Sequence, residues 1–337
     1  MNKKILYFAH HALGDIITQI PAINFLIEKF GNDNIYFTVQ FEYLLDFLSE
    51  YFKIPKNNFY LKKGNFDTKQ NNLQFILALR KEKFEYFIPA PIFGLNKVKF
   101  FMKLLNVHNT LLPEKSYSVN FKHKVLKNLE FIKNFDEVNN TNIIDYANKN
   151  YILREEFYND SNIEDYIDNQ YIVIHIGCAV SEIFKRLPLA KYKYLINKIL
   201  ENTDYKIILT GVGFECSDID ILCNYIESKK LINTCDKLDL KQLMKLIKFS
   251  KCVISADTGI AHLSSILDKK NFIFIGPTDE KITGPFTNSE FIKVNHELDC
   301  MPCYGTKKYG IKGCSEIKCM NNISEDTIVN KILGYLK

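Results

Sequence analysis

The chain has 337 residues, which is enough for two domains of ordinary size, and its 47% hydrophobic and 25% charged residues are typical of globular proteins. No apolar stretch reaches the ~18–20 residues that a membrane-spanning helix needs, and the apolar run after the first lysines is too short for a secretory signal, so we expect a cytoplasmic protein. The net charge of +5 is modest and acidic residues are interspersed, which argues against a nucleic-acid-binding protein.

The first half of the chain alternates strand-like and helix-like segments. An apolar run at 5–9 predicts a buried parallel strand, and a loop ending in Gly14 and Asp15 follows it. A helical pattern of apolar residues runs from Ile16 to Ile27 and stops at Gly31. Further strands are predicted at 35–39 and 86–88, further helices at 43–52 and 73–83, and a helical, polar region at 95–150. This alternation predicts a parallel sheet covered on both faces.

A second α/β unit is predicted to begin at Tyr171, after an acidic, polar stretch at 155–169 that resembles a link. Its predicted strands are 171–176, 206–210, 251–255 and 271–275, and its helices include 240–249 and 260–267. The segment from Ser324 to Leu336 has an N-cap serine and helical apolar spacing. We therefore expect domains at 1–155 and 170–322 and a C-terminal helix at 323–337.

Basic residues accumulate in the first half of the chain. A solvated surface is the ordinary interpretation, and a surface that receives an anionic acceptor is the alternative. The residues are Lys97, Lys99, Lys103, His108, Lys115, Lys122, His123, Lys124 and Lys127.

Ligands of parallel α/β sheets bind beyond the carboxyl ends of the strands, so the loops at those ends are candidate sites. Asp15 is either an ordinary helix N-cap or a functional carboxylate. His175 and Gly177 stand at the end of the first strand of the second unit. Lys185 and Arg186 follow, and they form either a solvated turn or a pair of cations that neutralises a phosphate.

The next loop contains Thr210, Gly211 and Glu215 between a predicted strand and helix. The full G-x-G-x-x-G pattern is absent, because Cys216 holds its last position, so the signal for a nucleotide is weak alone. A carboxylate in this place can accept hydrogen bonds from ribose hydroxyls.

The strongest loop is Asp257-Thr258-Gly259 at the start of a predicted helix, where free backbone N–H groups favour an anion. His262 falls on the same helix face as Thr258, although a buried core histidine is the more usual role. Gly276 opens a rigid turn after the next strand.

Taken together and in order, these segments resemble the bacterial heptosyltransferase family (glycosyltransferase family 9). The matching residues are Gly14-Asp15 with Pro21 and Leu26, His175 with Gly177, Lys185 with Pro188, Thr210-Gly211 with Glu215, Asp257-Thr258-Gly259 with His262, and Gly276-Pro277-Thr278. The resemblance implies an α/β fold of GT-B type, with two Rossmann-like doubly wound domains facing a cleft. The first domain would bind the acceptor, the second the nucleotide sugar, and the C-terminal helix would return to the first domain.

The resemblance also implies the chemistry. The expected reaction is inverting transfer of heptose from ADP-L-glycero-β-D-manno-heptose to a lipopolysaccharide inner-core saccharide, with no metal or other cofactor required for catalysis. Asp15 would be the general base, and Lys185 with the Thr258-Gly259 backbone would stabilise the leaving diphosphate. Glu215 would hold the ribose. The other expected donor-binding residues are Gly14, His175, Gly177, Thr210, Gly211, Asp257, His262 and Gly276. The expected acceptor is an anionic saccharide or glycolipid, with peripheral contact at the inner membrane.

This chain departs from the family pattern at two places: Arg186-Leu187 stands where a tryptophan is frequent, and Gly177-Cys178-Ala179 replaces a small turn. One alternative function therefore keeps the chemistry with a different sugar donor or a protein hydroxyl as acceptor. A second alternative is a non-catalytic sugar-nucleotide-binding module, against which the Gly14-Asp15 pair argues.

The nine cysteines are an odd number, and in the expected compartment this argues against a disulfide framework. Cys300, Cys303, Cys314 and Cys319 form a cluster whose spacing suits a structural Zn or Fe ion, and four reduced thiols are the alternative. A similar four-cysteine site binds iron in the autotransporter-modifying branch of the family that the chain resembles.

Overall fold

A computed structural model of the chain contains two compact units, Met1–Tyr151 and Ile152–Lys337. The structure describes residues 3–9, 12–62, 69–89, 95–110, 123–133, 142–158, 162–163, 166, 170–296, 298–304, 314 and 316–337. Within these residues, no helix combines the length and the hydropathy needed to cross a bilayer.

The first unit is a parallel sheet with helices. Its strands are β1 Ile5–Ala9, β2 Ile35–Val39, β3 Phe59–Leu61, β4 Tyr86–Ile88 and β5 Asn109–Thr110. Its helices are α1 Leu13–Ile17, α2 Ile20–Phe30, α3 Glu42–Phe52, α4 Lys69–Lys81, α5 Leu95–Leu105, α6 Lys124–Lys133 and α7 Ile143–Tyr151. The strand order is β3-β2-β1-β4-β5, and every pairing is parallel.

The second unit repeats this architecture with six strands. They are β6 Tyr171–His175, β7 Lys206–Thr210, β8 Leu231–Asn233, β9 Val253–Ala256, β10 Asn271–Phe274 and β11 Ser289–Ile292. The helices are α8 Leu189–Asn202, α9 Glu215–Tyr225, α10 Leu240–Phe249, α11 Gly259–Ile266, α12 Glu280–Thr283, α13 Lys318–Asn321 and α14 Glu325–Leu336. The strands pair in parallel in the order β11-β10-β9-β6-β7-β8.

The central strands of both sheets confirm the predicted α/β fold. Every residue of β1, β2 and β6 is buried, because helices cover both faces of a parallel sheet, and most of these residues are apolar. Strands β3, β5, β8 and β11 were not predicted, and they are the four edge strands. Their side chains are only partly buried, so their sequences lack a continuous apolar run.

The predicted helix from Ile16 to Ile27 is divided into α1 and α2. Pro21 occupies the first turn of α2, where its missing N–H costs nothing, and this favours a new helix start after Thr18 and Gln19. The predicted stop is correct, since Gly31 caps α2 with a φ of 80°.

The C-terminal helix α14 begins as predicted. Ser324 is its N-cap and accepts a hydrogen bond from the Thr327 N–H. Ile328 and Ile332 are buried in the apolar core of the second unit, and α14 packs against α8 there. A return of this helix to the first domain stays a prediction, as do the separate acceptor and donor roles of the two domains.

Candidate functional site

The strand order of each sheet places a crevice at its centre. In the second unit the chain runs from β6 through β7 to β8 on one side and from β9 to β11 on the other. The order therefore reverses between β6 and β9, which is where doubly wound sheets bind nucleotides. In the first unit, β1 lies between β2 and β4, so the segment after β1 occupies the equivalent position.

Asp15 lies in that segment of the first unit, and it is not an N-cap. The N-cap of α1 is Ala12, and Gly14 and Asp15 are the second and third residues of the helix. The carboxylate instead contacts the ammonium of Lys124, at the start of α6. The N-cap interpretation of Asp15 is therefore wrong, and Lys124 is more than a solvated member of the basic run.

Other members of that run are found on α5. Lys97, Lys99 and Lys103 are exposed on α5, a helix that carries no acidic residue. Lys115 and Lys122 lie outside the described residues.

In the second unit, Gly177 after β6 lies against the carboxylate of Glu215, the first residue of α9. A Cβ atom at Gly177 would stand 1.7 Å from Glu215 Oε1 and 2.0 Å from its Cδ. A Cβ at Gly211 would also meet Glu215, 3.1 Å from Oε2. The close approach of the Glu215 carboxylate thus explains Gly177, whereas a Cβ at Gly211 would first meet the Cδ1 atom of Ile219, at 2.8 Å.

The Glu215 side chain is buried, with 3% of the residue exposed. The backbone N–H of Val212 donates to Oε2 at 2.9 Å. Burial raises the pKa of Glu215, although the Val212 amide, the Arg186 guanidinium and the Cys178 amide act in the opposite direction. Glu215 is therefore a buried hydrogen-bond acceptor held at a fixed position after the second strand of its sheet.

His175 connects β6 and β7. Its Nδ1 lies 3.0 Å from the carbonyl oxygen of Thr210, and since a carbonyl only accepts, Nδ1 carries the ring hydrogen. Burial lowers the pKa of His175 to about 4. The ring is therefore neutral near pH 7, and it cannot serve as a cationic contact for a phosphate.

Lys185 lies in a cluster with an acid and an aromatic ring. Its ammonium is 2.9 Å from Glu182 Oε2 and 4.6 Å from the ring centroid of Tyr304. The Tyr304 hydroxyl donates to the other Glu182 oxygen at 2.8 Å. Glu182 stands three residues before Lys185, a spacing that could have indicated the pair, whereas no sequence signal pointed to Tyr304.

Arg186, the neighbouring cation, has a different partner. Its guanidinium contacts Asp218 on α9, and its Nε donates to the carbonyl of Ile176 at 3.2 Å. Arg186 thus ties the segment after β6 to α9, and Lys185 is the cation of the pair that is placed beside Glu182.

Asp257 and His262 are both buried at the start of α11, with 5% and 8% exposed. His262 Nε2 is 3.9 Å from Asp257 Oδ1, which is longer than a hydrogen bond. Three nearby hydroxyl oxygens at the carboxyl ends of β9 and β10 are buried without a hydrogen-bond partner among the described residues: Ser255 Oγ, Thr258 Oγ1 and Thr278 Oγ1. Buried hydroxyls are normally paired, so these three can accept or donate a further hydrogen bond, to an ordered water or to a polar ligand.

Gly276 has a packing role. A Cβ there would stand 2.5 Å from the Met320 Sδ and 3.0 Å from the Cys319 Sγ of α13. The backbone amides of Cys303 and Tyr304 donate to the carbonyl of Pro277 at 2.9 Å. The cysteine-containing segments therefore lie against the loop after β10, and the donor-binding role of Gly276 stays a prediction.

The four clustered cysteines lie close enough to affect the pKa values of one another's thiols, but they do not form a ligand set. Burial raises the pKa of Cys319 to about 11, and the charges of Cys303, Cys314 and Cys300 add to this. Among the described residues, however, no three of these sulfurs lie within 4.8 Å of one another. Sulfurs on a tetrahedral Zn stand about 3.8 Å apart, given Zn–S bonds of about 2.3 Å, so the four sulfurs would have to move closer together to bind one ion.

One disulfide corrects the expectation drawn from the cysteine count. Cys216 and Cys235 are bonded, with Cα atoms 5.5 Å apart, because the loops after β7 and β8 are neighbours in the sheet. The adjacent Asp236 accepts a hydrogen bond from the Gly213 N–H at 2.8 Å and donates its own N–H to Gly211 O at 3.1 Å. Sequence reasoning missed Asp236 because it follows β8, an edge strand that was not predicted.

Comparisons with known proteins agree with this architecture. The model of glycosyltransferase family 9 (heptosyltransferase) matches residues 105–311. Lipooligosaccharide heptosyltransferase 2 of Campylobacter jejuni is 30% identical over 139 residues, which are 40% of this chain and 41% of that protein. The chain thus spans about two fifths of the length of the curated relatives that it matches.

Two solved structures share the fold. Escherichia coli heptosyltransferase WaaC with ADP has a TM-score of 0.69 at 16% identity, over 98% of this chain and 99% of that chain. The iron-containing dodecameric glycosyltransferase TibC of enterotoxigenic E. coli has a TM-score of 0.52 at 10% identity, over 100% and 80%. These likenesses confirm the predicted α/β fold of GT-B type. Because the family model matches more than half of the chain, the chain belongs to glycosyltransferase family 9, the heptosyltransferase family.

Proposed function

We propose that this protein is an inverting glycosyltransferase that transfers heptose from ADP-L-glycero-β-D-manno-heptose to a lipopolysaccharide inner-core saccharide. One observation carries the proposal: Glu215 is a buried carboxylate fixed against Gly177, at the point where the strand order of the second sheet reverses. Dinucleotide-binding sheets place an acid after their second strand to bind the ribose hydroxyls. Family membership and the names of the relatives support heptose as the sugar.

The donor is proposed to bind at this reversal. The Glu215 carboxylate accepts hydrogen bonds from the ribose hydroxyls. The first N–H groups of α11, at Thr258 and Gly259, face the diphosphate. Lys185 neutralises charge on the leaving group by moving from Glu182 to the phosphates. The partnerless hydroxyls at Ser255, Thr258 and Thr278 support a polar ligand here.

Asp15 is proposed as the general base in the first unit. The acceptor hydroxyl oxygen attacks the anomeric carbon, its proton passes to the Asp15 carboxylate, and the bond from that carbon to the diphosphate breaks to release ADP. A single direct displacement inverts the anomeric centre. Catalysis of this kind supplies ~10²–10⁴-fold in rate.

The acceptor is proposed to be an anionic saccharide or glycolipid. The exposed lysines of α5 support this, since Lys99 and Lys103 lie on a helix whose own sequence contains no acidic residue. Such a surface also suits peripheral contact with an anionic membrane.

The donor is tested by incubating the purified protein with ADP-heptose, UDP-glucose or UDP-GlcNAc and reading hydrolysis or transfer by mass spectrometry. We expect the protein to turn over ADP-heptose and neither of the two UDP-sugars. Turnover of a UDP-sugar would support the alternative donor, and tight nucleotide binding without any turnover would support the non-catalytic module.

The base is tested by Asp15→Ala, which we expect to bind ADP normally and to lose ~10²–10⁴-fold in turnover. Asp33→Asn is the control, because Asp33 is an exposed aspartate of the same unit. Unchanged transfer by Asp15→Ala would refute the assignment.

A structural Zn or Fe at Cys300, Cys303, Cys314 and Cys319 is a separate proposal. The Cys300-x2-Cys303 spacing supports it, because closely spaced cysteines are typical Zn and Fe ligands, and the description of TibC as iron-containing is compatible with it. Elemental analysis of the purified protein and of Cys303→Ser tests it. A metal content of one per chain that falls in the variant is expected, and equal contents in both proteins would contradict the site.

A further inference from the structure

An ion pair joins Asp15 to Lys124, two residues of the first unit that are 109 positions apart in sequence. The Lys124 ammonium contacts Asp15 Oδ1, and the two side chains are 32% (Lys124) and 38% (Asp15) exposed. A pair at this exposure can be reached by a substrate, whereas a buried structural ion pair cannot. Its existence depends on the tertiary fold, because α1 and the start of α6 supply the two groups.

Buried side chains hold the backbone of Asp15 independently of this pair. The Asp15 carbonyl accepts hydrogen bonds from Thr18 Oγ1 at 2.7 Å and from Gln19 Nε2 at 3.0 Å. Asn128 Nδ2 in turn donates to the carbonyl and the hydroxyl of Thr18, both at 3.2 Å. Thr18, Gln19 and Asn128 are each at most 5% exposed. The main chain at Asp15 is therefore held in place by hydrogen bonds from buried side chains.

Lys124 and Asn128 are four residues apart on α6, so they lie on one face of that helix. Asn128 holds Thr18 under Asp15, while Lys124 holds the carboxylate itself. The same helix face thus determines where the backbone of Asp15 stands and restricts the rotation of its side chain.

This pair contributes little to stability, because solvated ion pairs gain little and also lose side-chain entropy. Lys56 and Asp46 form a pair of the same chemistry in the first unit, at 2.8 Å, and neither residue belongs to the candidate site. The Lys56–Asp46 pair is the more exposed of the two, at 64% (Lys56) and 51% (Asp46), so its loss should also affect stability little.

We propose that Lys124 is the positioning residue of Asp15 and orients its carboxylate toward the acceptor hydroxyl. This inference rests on the proposed role of Asp15 as general base. Lys124 exchanges no proton in the reaction: the acceptor proton moves to Asp15, and the ammonium keeps its charge. Because misplacing a reacting group by about 1 Å can cost ~10²-fold in rate, the orientation of the carboxylate matters for turnover.

The test compares Lys124→Met, Lys124→Arg and the matched control Lys56→Met in the full chain. Initial rates are measured against acceptor concentration with the nucleotide sugar that proves active in the donor test, and ADP affinity is measured by calorimetry. We expect Lys124→Met to lower kcat roughly 10- to 100-fold. The acceptor KM and the Kd of ADP should change less than about 3-fold. Lys124→Arg should recover most of the rate, and melting temperatures should stay within about 2 °C of the wild type.

Several outcomes would overturn the proposal. One is a kcat of Lys124→Met equal to that of Lys56→Met, and another is a loss confined to the acceptor KM, which would make Lys124 an acceptor-binding residue. In an Asp15→Asn background, Lys124→Met should cause no additional loss, and a further decrease would show that Lys124 acts independently of Asp15. Wild-type turnover by Asp15→Asn alone would refute the general-base role instead, so the two failures are distinguishable.

Discussion

Replacement of Gly177 by alanine tests whether the Glu215 carboxylate is what requires a glycine after β6. The new Cβ would stand 1.7 Å from Oε1, 2.0 Å from Cδ and 2.4 Å from Oε2. Ordinary contact begins near 3.4 Å, so the carboxylate must move by well over an ångström. Gly177 has no positive φ, so backbone strain does not contribute.

The magnitude follows from what the displaced carboxylate loses. It accepts a hydrogen bond from the Val212 N–H at 2.9 Å in a buried position. A hydrogen bond to a charged group contributes about 1.5–3 kcal/mol, so we expect Gly177→Ala to destabilise the second unit by about this amount. If Glu215 holds the ribose, ADP affinity should fall roughly 10- to 100-fold as well.

A double-mutant cycle isolates the cause. In a Glu215→Ala background no carboxylate opposes the new methyl group, so Gly177→Ala should cost less than about 1 kcal/mol. Gly334→Ala is the control, because a Cβ there meets nothing within 4 Å and alanine favours the helix by up to about 1 kcal/mol.

Denaturant unfolding followed by circular dichroism is the suitable assay, since the chain has no tryptophan for fluorescence. Calorimetric titration with ADP supplies the affinity. An equal cost of Gly177→Ala in both backgrounds would show that something other than the Glu215 carboxylate requires the glycine.

Three further predictions concern the second unit. Burial lowers the pKa of His175 to about 4, so the unfolded chain binds the proton more readily between pH 6.5 and 4, and stability is lost as pH falls through that window. At pH 5 the free energy of unfolding should be about 2 kcal/mol lower than at pH 8, and in His175→Gln this decrease should be absent. If the free energy of unfolding fell equally with pH in the wild type and in His175→Gln, the buried neutral ring would be contradicted. The Cys216–Cys235 disulfide closes a loop with a sequence separation of 19, so its reduction should lower the free energy of unfolding by roughly 3 kcal/mol. If a phosphine reductant left the unfolding curve unchanged, the bond would be excluded. Gly276→Ala should cost about 1–3 kcal/mol in the same assay, because its methyl group would overlap Met320, and a neutral effect would mean that α13 can shift freely.

The central strands could be predicted because a strand that is buried on both faces has a continuous apolar sequence. β1, β2 and β6 are buried at every residue, and continuous apolar runs marked them at or near their observed bounds. The edge strands β3, β5, β8 and β11 have one neighbour and partly exposed side chains, so no such run marks them. Missing β8 had a consequence for the site, since Asp236 follows it.

The two parallel α/β units, the family and the loops that contain the candidate residues could all be predicted from the sequence, because they depend on local apolar patterns and short motifs. The tertiary structure alone decided the pairings at those loops: Asp15 with Lys124, Glu215 against Gly177, and Cys216 bonded to Cys235. Each joins residues that are far apart along the chain or lie on different loops. Such contacts depend on which strands become neighbours in the sheet, and no local pattern of side chains records that order.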